Sequence, residues 1–384
     1  MGIVTPLKLN AFNLFMSLEK YSTPVLILDE LRAKKNILAM LKKGNDANVD
    51  VRPHFKTHQS IKIGEWFEKA GVTGITVSSL VMAEYFADAG WKSITVAFPV
   101  SFLQANLINQ LASNIELRIL VTDTESVEKL DGLISSKVKA YIEVDPGYNR
   151  SGLPTNDYNK LNKLKKVIED SANLEFYGFY THAGHSYTCR SKSEINELTA
   201  SITPLLRDLK KEFRAPICFG DTPICSTIES FDFTDEISPG NFVFYDWTQV
   251  EIGSCSHQEI AVAMSCPVVG KYAERNQLLI HGGAIHFSKD SFTDSSGVTQ
   301  FGKVAELNEN GIGTPIKGNF VKSLSQEHGI VQCTEDYFNS VSIGDSIAIL
   351  PIHSCLTAEA MGIYQTVKGD QIEHMSRKQS NVFR

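Results

Sequence analysis

"VDVRPHFKTHQSIKIGEWFEKAGVTGITVSS", residues 49–79, reads as one strand–helix–strand unit. VDVRPH opens with β-branched residues, as a strand does. IKIGEWFEKAG repeats apolar residues at helical spacing and closes on Gly71, a usual helix stop. GITVSS is again strand-like. The pattern recurs in SITVAFP (93–99), LRILVTD (117–123), KAYIEVD (139–145), LEFYGFYTH (174–182), APICFGD (215–221) and EISPGNFVFYD (236–246). Amphipathic stretches such as VMAEYFADAG and YNKLNKLKKVIEDS lie between them. Strands alternating with helices imply a parallel sheet. Eight such strands predict a closed (β/α)8 TIM barrel. A doubly wound open sheet is the alternative, but no GxGxxG follows the first strand.

The texture changes after about residue 250. QEIAVAMSCPVVGKY, NQLLIHGG, GIVQC and DSIAILPIH are strand-like, with turn residues between them. The chain is therefore expected to be an α/β protein: a barrel over 25–250 and an all-β domain over 251–384, joined by residues 1–24. The VLILD run is expected to pair with that β domain, and Lys289 to Ala305 to form a loop. The 384 residues carry a net charge of −7 and no dense Lys/Arg block, which argues against nucleic acid or an anionic membrane as partner. The N-terminus has no signal-peptide pattern, no apolar run is long enough to span a bilayer, and the seven cysteines are scattered. These features point to a reducing, cytoplasmic setting.

In a barrel, chemistry collects at the C-terminal ends of the strands. Lys56, Asp123, Arg150, His182, His185, Gly220, Asp221, Thr222, Gly240 and Asn241 all fall there. Most lysines are exposed and inert. A lysine at a barrel mouth can instead bond a carbonyl cofactor if burial or nearby positive charge lowers its pKa. His54 and His58 flank Lys56 and are expected to shape its pocket or its charge, with no chemical step assigned to either. GDTP (220–223) and SPGN (238–241) are turns whose backbone N–H groups suit a phosphate. In PIHSC (351–355), His353 and Cys355 are two apart in a strand-like run, so both side chains should point the same way. Imidazole plus thiolate suits Zn2+. HGGAIH (281–286) is a competing histidine pair. A spacing of five in a strand puts its rings on opposite faces, which ranks it lower.

Taken together, YSTPVLILD, RPHFKTHQS, DPGYNRSG, YTHAGHSY, GDTP, SPGNFVFYD, LSQEHG and PIHSC resemble the fold-type III pyridoxal-phosphate (PLP) enzymes, specifically the D-serine dehydratase / D-threonine aldolase family. That resemblance implies an alanine-racemase-like barrel with PLP on Lys56. It implies Arg150 at the cofactor's phenolic oxygen and His182 against its ring. The phosphate would lie at Gly220–Thr222 and Gly240–Asn241. Alanine racemases place an Arg before the PG of the eighth-strand turn, to bond the pyridine nitrogen. Ser238 stands there in this chain, so Tyr180 or Tyr187 becomes the expected partner. Dehydratases of the family use His-x-Cys for zinc, and the aldolases use His-x-Asp with another divalent metal. His353-Ser354-Cys355 therefore favours a zinc-dependent dehydratase acting on a 3-hydroxy D-amino acid such as D-serine or D-threo-3-hydroxyaspartate. Aldol cleavage of D-threonine, racemisation, and a non-catalytic PLP carrier are the rival readings. A homodimer with shared active sites is a further implication.

Overall fold

The computed structural model of the protein describes residues 21–308 and 311–375. Most of the 1–24 segment lies outside the described residues. The chain enters through β1 (Val25–Leu28) and then builds β2 (Asp50–Val51), β3 (Ile75–Val77), β4 (Ser93–Pro99), β5 (Glu116–Val121), β6 (Val138–Asp145), β7 (Leu153–Pro154), β8 (Leu174–His182), β9 (Ile217–Gly220) and β10 (Glu236–Ile237). Eight of these form a parallel sheet in the order β2-β10-β9-β8-β6-β5-β4-β3. Its two edges meet at a parallel bridge between His54 and Thr76. There the Phe55 N–H donates to Thr76 O at 2.8 Å, and the Thr76 N–H donates to Pro53 O at 2.9 Å. The sheet is thereby closed into the expected (β/α)8 barrel.

Each strand run read from the sequence corresponds to a strand, but the eighth is shorter than expected. Only Glu236–Ile237 pairs; Ser238-Pro239-Gly240 then turns the chain away into a short 3-10 helix, Asn241–Val243. Pro239 has no N–H to continue a ladder. The helices follow from their caps as well as their apolar faces. Asp29 accepts from the Arg32 N–H to open Glu30–Asp46, and Ser79 accepts from the Met82 N–H to open Leu80–Asp88. Asp123 does the same for the Ser126 N–H, which makes it a helix cap.

The second sheet contains β11 (Val262–Tyr272), β12 (Gln277–His281), β15 (Gly302–Asn308), β16 (Gly311–Leu324), β17 (His328–Gln332), β18 (Ser346–Pro351), β19 (Ile363–Thr366) and β20 (Gln371–Glu373), with a separate hairpin of β13 (Phe292–Thr293) and β14 (Thr299–Gln300). Six antiparallel strands close on themselves in the ring β11-β12-β17-β16-β15-β18. β1 pairs antiparallel with β11 and parallel with β19, so Val25–Leu28 belongs to this sheet and not to the barrel. Lys289 to Ala305, expected as plain loop, holds the β13–β14 hairpin and the start of β15. Facing threonines, Thr293 and Thr299, bond at 3.0 Å across that hairpin. PIHSC also differs from expectation. β18 stops at Pro351, His353 caps a helix, and Ser354–Met361 is helical, so the alternation of a strand does not apply to His353 and Cys355. Among the described residues, no helix is long and apolar enough to cross a membrane.

The two sheets meet at a buried carboxylate. Asp246 Oδ2 accepts from Asn241 Nδ2 at 2.6 Å and from the Ser354 N–H at 3.0 Å, while its Oδ1 accepts from the Gln249 N–H at 3.0 Å. Asn241 Nδ2 also reaches Ser354 Oγ at 3.1 Å. The barrel's eighth turn and the His353–Cys355 turn are thereby pinned to one group. Asp246→Ala leaves these buried donors unpaired, at a cost of about 1–3 kcal/mol. Urea unfolding followed by circular dichroism should show a lower midpoint. An unchanged midpoint would mean that the carboxylate is not the junction's anchor.

Candidate active site

Phe55, inside the PHFKTH stretch, is fully buried and sits edge-on to Phe86 at 5.0 Å and to Trp91 at 5.2 Å, and tilted against Phe67 at 5.0 Å. A turn closed by the Gln59 N–H on Phe55 O, 3.0 Å, then swings Lys56 toward the barrel mouth. His58 goes the other way. Its ring packs on Phe55 and Phe67 and its Nδ1 accepts from the Ser60 N–H at 3.1 Å. Burial depresses its pKa to about 3, so it is a neutral core residue. The pocket-shaping half of the expectation for His58 is corrected here, because of the two flanking histidines only His54 lines the cavity.

A cavity of about 720 Å3 opens at the C-terminal ends of the barrel strands. It is lined by Lys56, Arg150, Tyr180, His182, Tyr187, Gly220, Asp221, Thr222, Gly240, Asn241, His353 and Cys355. His185 and Asp123 do not line it; His185 stacks on Tyr148 at 5.8 Å, outside the wall. The Lys56 side chain has surface open to the cavity, but protein surrounds the cavity itself. Burial therefore lowers its pKa, with Cys355 opposing and Arg150 adding to the shift. His54 is held neutral by burial and by the positive charges of Lys56 and Arg150. His182 is pushed down to about 3, first by burial and then by Lys56 and Arg150. Its Nδ1 donates to Gly220 O, which fixes the ring against the cavity.

Two turns converge on Thr222. Its Oγ1 accepts from the Gly240 N–H at 3.2 Å and from the Asn241 N–H at 3.1 Å. A Cβ on Gly240 would lie 2.8 Å from His54 O, so only glycine fits between this turn and the Lys56 segment. Gly240, Asn241 and Thr222 line the same cavity as Lys56, and backbone N–H groups converging in this way are donors suited to an anion. Tyr180 and Tyr187 occupy different walls. Tyr187 bonds Thr222 and stacks parallel to the His353 ring at 6.3 Å. Tyr180 is bonded to Ser238, whose Oγ donates onward to Thr76 Oγ1 at 2.8 Å.

Thr57 Oγ1 and Cys355 Sγ are 3.2 Å apart although 298 positions separate them. This contact brings the His-x-Cys pair to the residue beside Lys56. His353 Nδ1 bonds Asp290 Oδ2 at 3.2 Å, so Nε2 is the nitrogen the ring could offer a metal. A carboxylate behind a ligating histidine is the usual support of a metal site. Burial alone would lower the His353 pKa, but the bonds to Asp290 and Cys355 outweigh it and raise the pKa well above the usual value. Burial alone would raise the Cys355 thiol, but His353, Thr57 and Lys56 together bring it down. These shifts describe an imidazolium–thiolate pair; on loss of the ring proton it becomes the imidazole-plus-thiolate donor set that zinc prefers.

Asp290, Arg190, Glu143 and Thr57 were not singled out in the sequence. Asp290 is one acid in a polar stretch and carries no signal of its own. Glu143 did carry one, because it faces the barrel interior two residues before the end of β6. It accepts from Ser151 Oγ at 2.7 Å and so ties down the loop that presents Arg150. The rival pair is closer than expected. β12 ends at His281 and the chain turns at Gly282-Gly283, which brings His281 and His286 to 5.5 Å, with Glu327 between them. The opposite-face argument therefore fails there. However, His286 Nδ1 accepts from the Gly283 N–H at 3.1 Å, so the neutral ring carries its proton on Nε2, where a metal would bind.

The alanine racemase N-terminal domain family matches residues 28–246, and the "Putative serine dehydratase domain" family matches 261–367. The chain belongs to the fold-type III PLP enzymes. It is 29% identical to a D-serine dehydratase of Dictyostelium discoideum over 91% of this chain and 94% of that one. It is 26% identical to the D-threo-3-hydroxyaspartate dehydratase of Delftia sp. strain HT23, over 91% and 94%. The solved structure of that Delftia enzyme superimposes with a TM-score of 0.86 at 24% identity, covering 94% of this chain and 99% of that one. A cysteine-to-alanine variant of it has been solved in a metal-free form. Both family matches and these relatives place the chain among the PLP-dependent lyases.

Six of the seven cysteines are held protonated, first by burial: Cys189, Cys218, Cys225, Cys255, Cys266 and Cys333. In metal-stripped protein at neutral pH, Cys355 should alkylate first, and added zinc should slow it. Peptide mapping of an iodoacetamide time course reads this directly. Another cysteine reacting first would contradict the thiolate assignment.

Proposed function

We propose that this enzyme is a zinc-dependent dehydratase (ammonia-lyase) of 3-hydroxy D-amino acids, with PLP carried on Lys56. The contact that sets Cys355 beside the Lys56 segment is the observation that supports it. The reading includes a division near residue 250 into a PLP-binding barrel and a β domain carrying the metal pair. It also includes a cytoplasmic homodimer with shared sites, as the family resemblance implies.

In this proposal Lys56 holds the cofactor, Gly240 and Asn241 with Gly220–Thr222 hold its phosphate, and Arg150 faces its phenolic oxygen. His182 lies against the ring, and Tyr180, with Ser238 behind it, meets the pyridine nitrogen. PLP, when bound, delocalises the electron pair left at Cα. Zinc on His353 and Cys355 would weaken the bond to the β-hydroxyl as a Lewis acid. Lys56, released by the arriving amino group, takes the α-proton. Its lowered pKa favours the neutral amine that this step requires. Water leaves from Cα and Cβ, and the released enamine hydrolyses to a 2-oxo acid and ammonia. The neutral His54 and His182 add no positive charge that would compete with Lys56 for the proton.

Two measurements test this. Borohydride trapping of added PLP followed by peptide mapping should label Lys56 and no other lysine, and Lys56→Ala should abolish the label. Turnover should yield a 2-oxo acid from a 3-hydroxy D-amino acid, fall by at least tenfold on zinc chelation and return with zinc. A rate unaffected by chelation would remove the metal from the reaction, and glycine as the product from D-threonine would make the protein an aldolase.

A further inference from the structure

The cavity holds a second guanidinium with no place in the mechanism. Arg190 is solvent-exposed and lines the same cavity as His353 and Cys355. Its Nη1 donates to Tyr187 O at 3.1 Å and to Cys189 O at 2.8 Å. Its guanidinium lies over the Phe292 ring at 5.2 Å. Both neighbours lead back to the metal pair. Tyr187 stacks on His353, and Phe292 is two residues from Asp290, which bonds His353. The Arg190 N–H is fixed on Glu194 Oε2 at 2.9 Å, so the backbone is set as well.

We propose that Arg190 recognises a carboxylate carried on Cβ of the substrate. On this view the enzyme prefers dicarboxylic 3-hydroxy D-amino acids, of the 3-hydroxyaspartate class, to D-serine. The inference rests on the proposed dehydratase reading and follows from the order of groups along the cavity. Lys56 marks Cα. Cys355 and His353, next to it, mark the β-hydroxyl. Arg190, one side chain beyond His353, lies where the remaining substituent of Cβ extends. D-serine has only hydrogen there and leaves the guanidinium with no anion. The two Nη1 bonds go to neutral carbonyls, so the positive charge is uncompensated by them. Asp290 bonds His353 through Oδ2, and Glu194 Oε2 accepts from the Arg190 backbone N–H. Arg150 does not compete for this role, because it stacks on Tyr148 at 5.6 Å, near Glu143 and His182. A guanidinium presents paired donors that match a carboxylate, which a lysine in its place would not.

The test compares kcat/KM for D-threo-3-hydroxyaspartate and for D-serine in PLP- and zinc-loaded enzyme. The wild type should favour the dicarboxylate. In Arg190→Gln the ratio of the two should fall about 10- to 100-fold, the worth of a hydrogen bond to a charged group, and Arg190→Lys should recover part of it. A second arm needs no turnover. Calorimetry should show D-aspartate binding more tightly than D-alanine, with the difference lost in Arg190→Gln. An unchanged kcat/KM ratio, or an unchanged D-aspartate preference, overturns the Arg190 assignment. If neither substrate reacts but D-aspartate binding still depends on Arg190, the dehydratase reading fails while the carboxylate subsite stands.

Discussion

Everything at this site depends on one buried carboxylate. Asp246 stands at the end of the barrel's eighth turn and accepts from Asn241, from the Ser354 backbone and from Gln249. Asn241 belongs to the turn suited to a phosphate; Ser354 lies between the two residues suited to a metal. One group therefore fixes the register between two sheets that fold by unrelated rules. Without it the barrel would still close at His54–Thr76 and the six-stranded ring would still close at β11–β12. The direct bond from Asn241 Nδ2 to Ser354 Oγ adds a second tie between the two turns.

The electrostatics follow from that placement. The cavity gathers Lys56, Arg150 and Arg190 with Glu143, Asp221 and Asp290, and burial pushes the Glu143 carboxyl up and the Asp221 carboxyl to about 8, toward their neutral forms. Burial and this positive field disfavour further protonation, so His54 and His182 stay neutral and Lys56 is lowered. The same field favours the Cys355 thiolate, whose charge opposes the lowering of Lys56. Lysine and thiol are thus coupled: Lys56 favours the Cys355 thiolate, while that thiolate holds back part of the lowering of Lys56. Asp290 completes the arrangement by fixing the His353 ring from behind.

Much of this was legible in the sequence because it is local. Strand runs with β-branched residues and glycine stops gave eight strands near their observed positions. The order of RPHFKTH, DPGYNRSG, YTHAGHSY, GDTP and PIHSC pointed to a set of residues that line one cavity. What could not be read is long-range. Whether Cys355 reaches Lys56 depends on how β18 and the Ser354–Met361 helix dock on the barrel, which no local pattern encodes. The strand alternation invoked for His353 and Cys355 was the wrong reason for a true proximity, since a helix start holds them. It was also the wrong reason for separating His281 from His286, since the Gly282-Gly283 turn folds them together. His58 was misread because Phe67 and Phe86, which bury it, come from later helices. Asp290 and Arg190 gain meaning only from their neighbours in space.

The central claim is that the metal pair and Lys56 serve one site. Anomalous diffraction at the zinc edge, on crystals of the PLP-loaded protein, tests it most directly. The account predicts a zinc peak with sulfur at about 2.3 Å and nitrogen at about 2.0–2.1 Å, from Cys355 and His353, facing the cofactor on Lys56. A peak at His281, His286 and Glu327 instead, with none at Cys355, would contradict it.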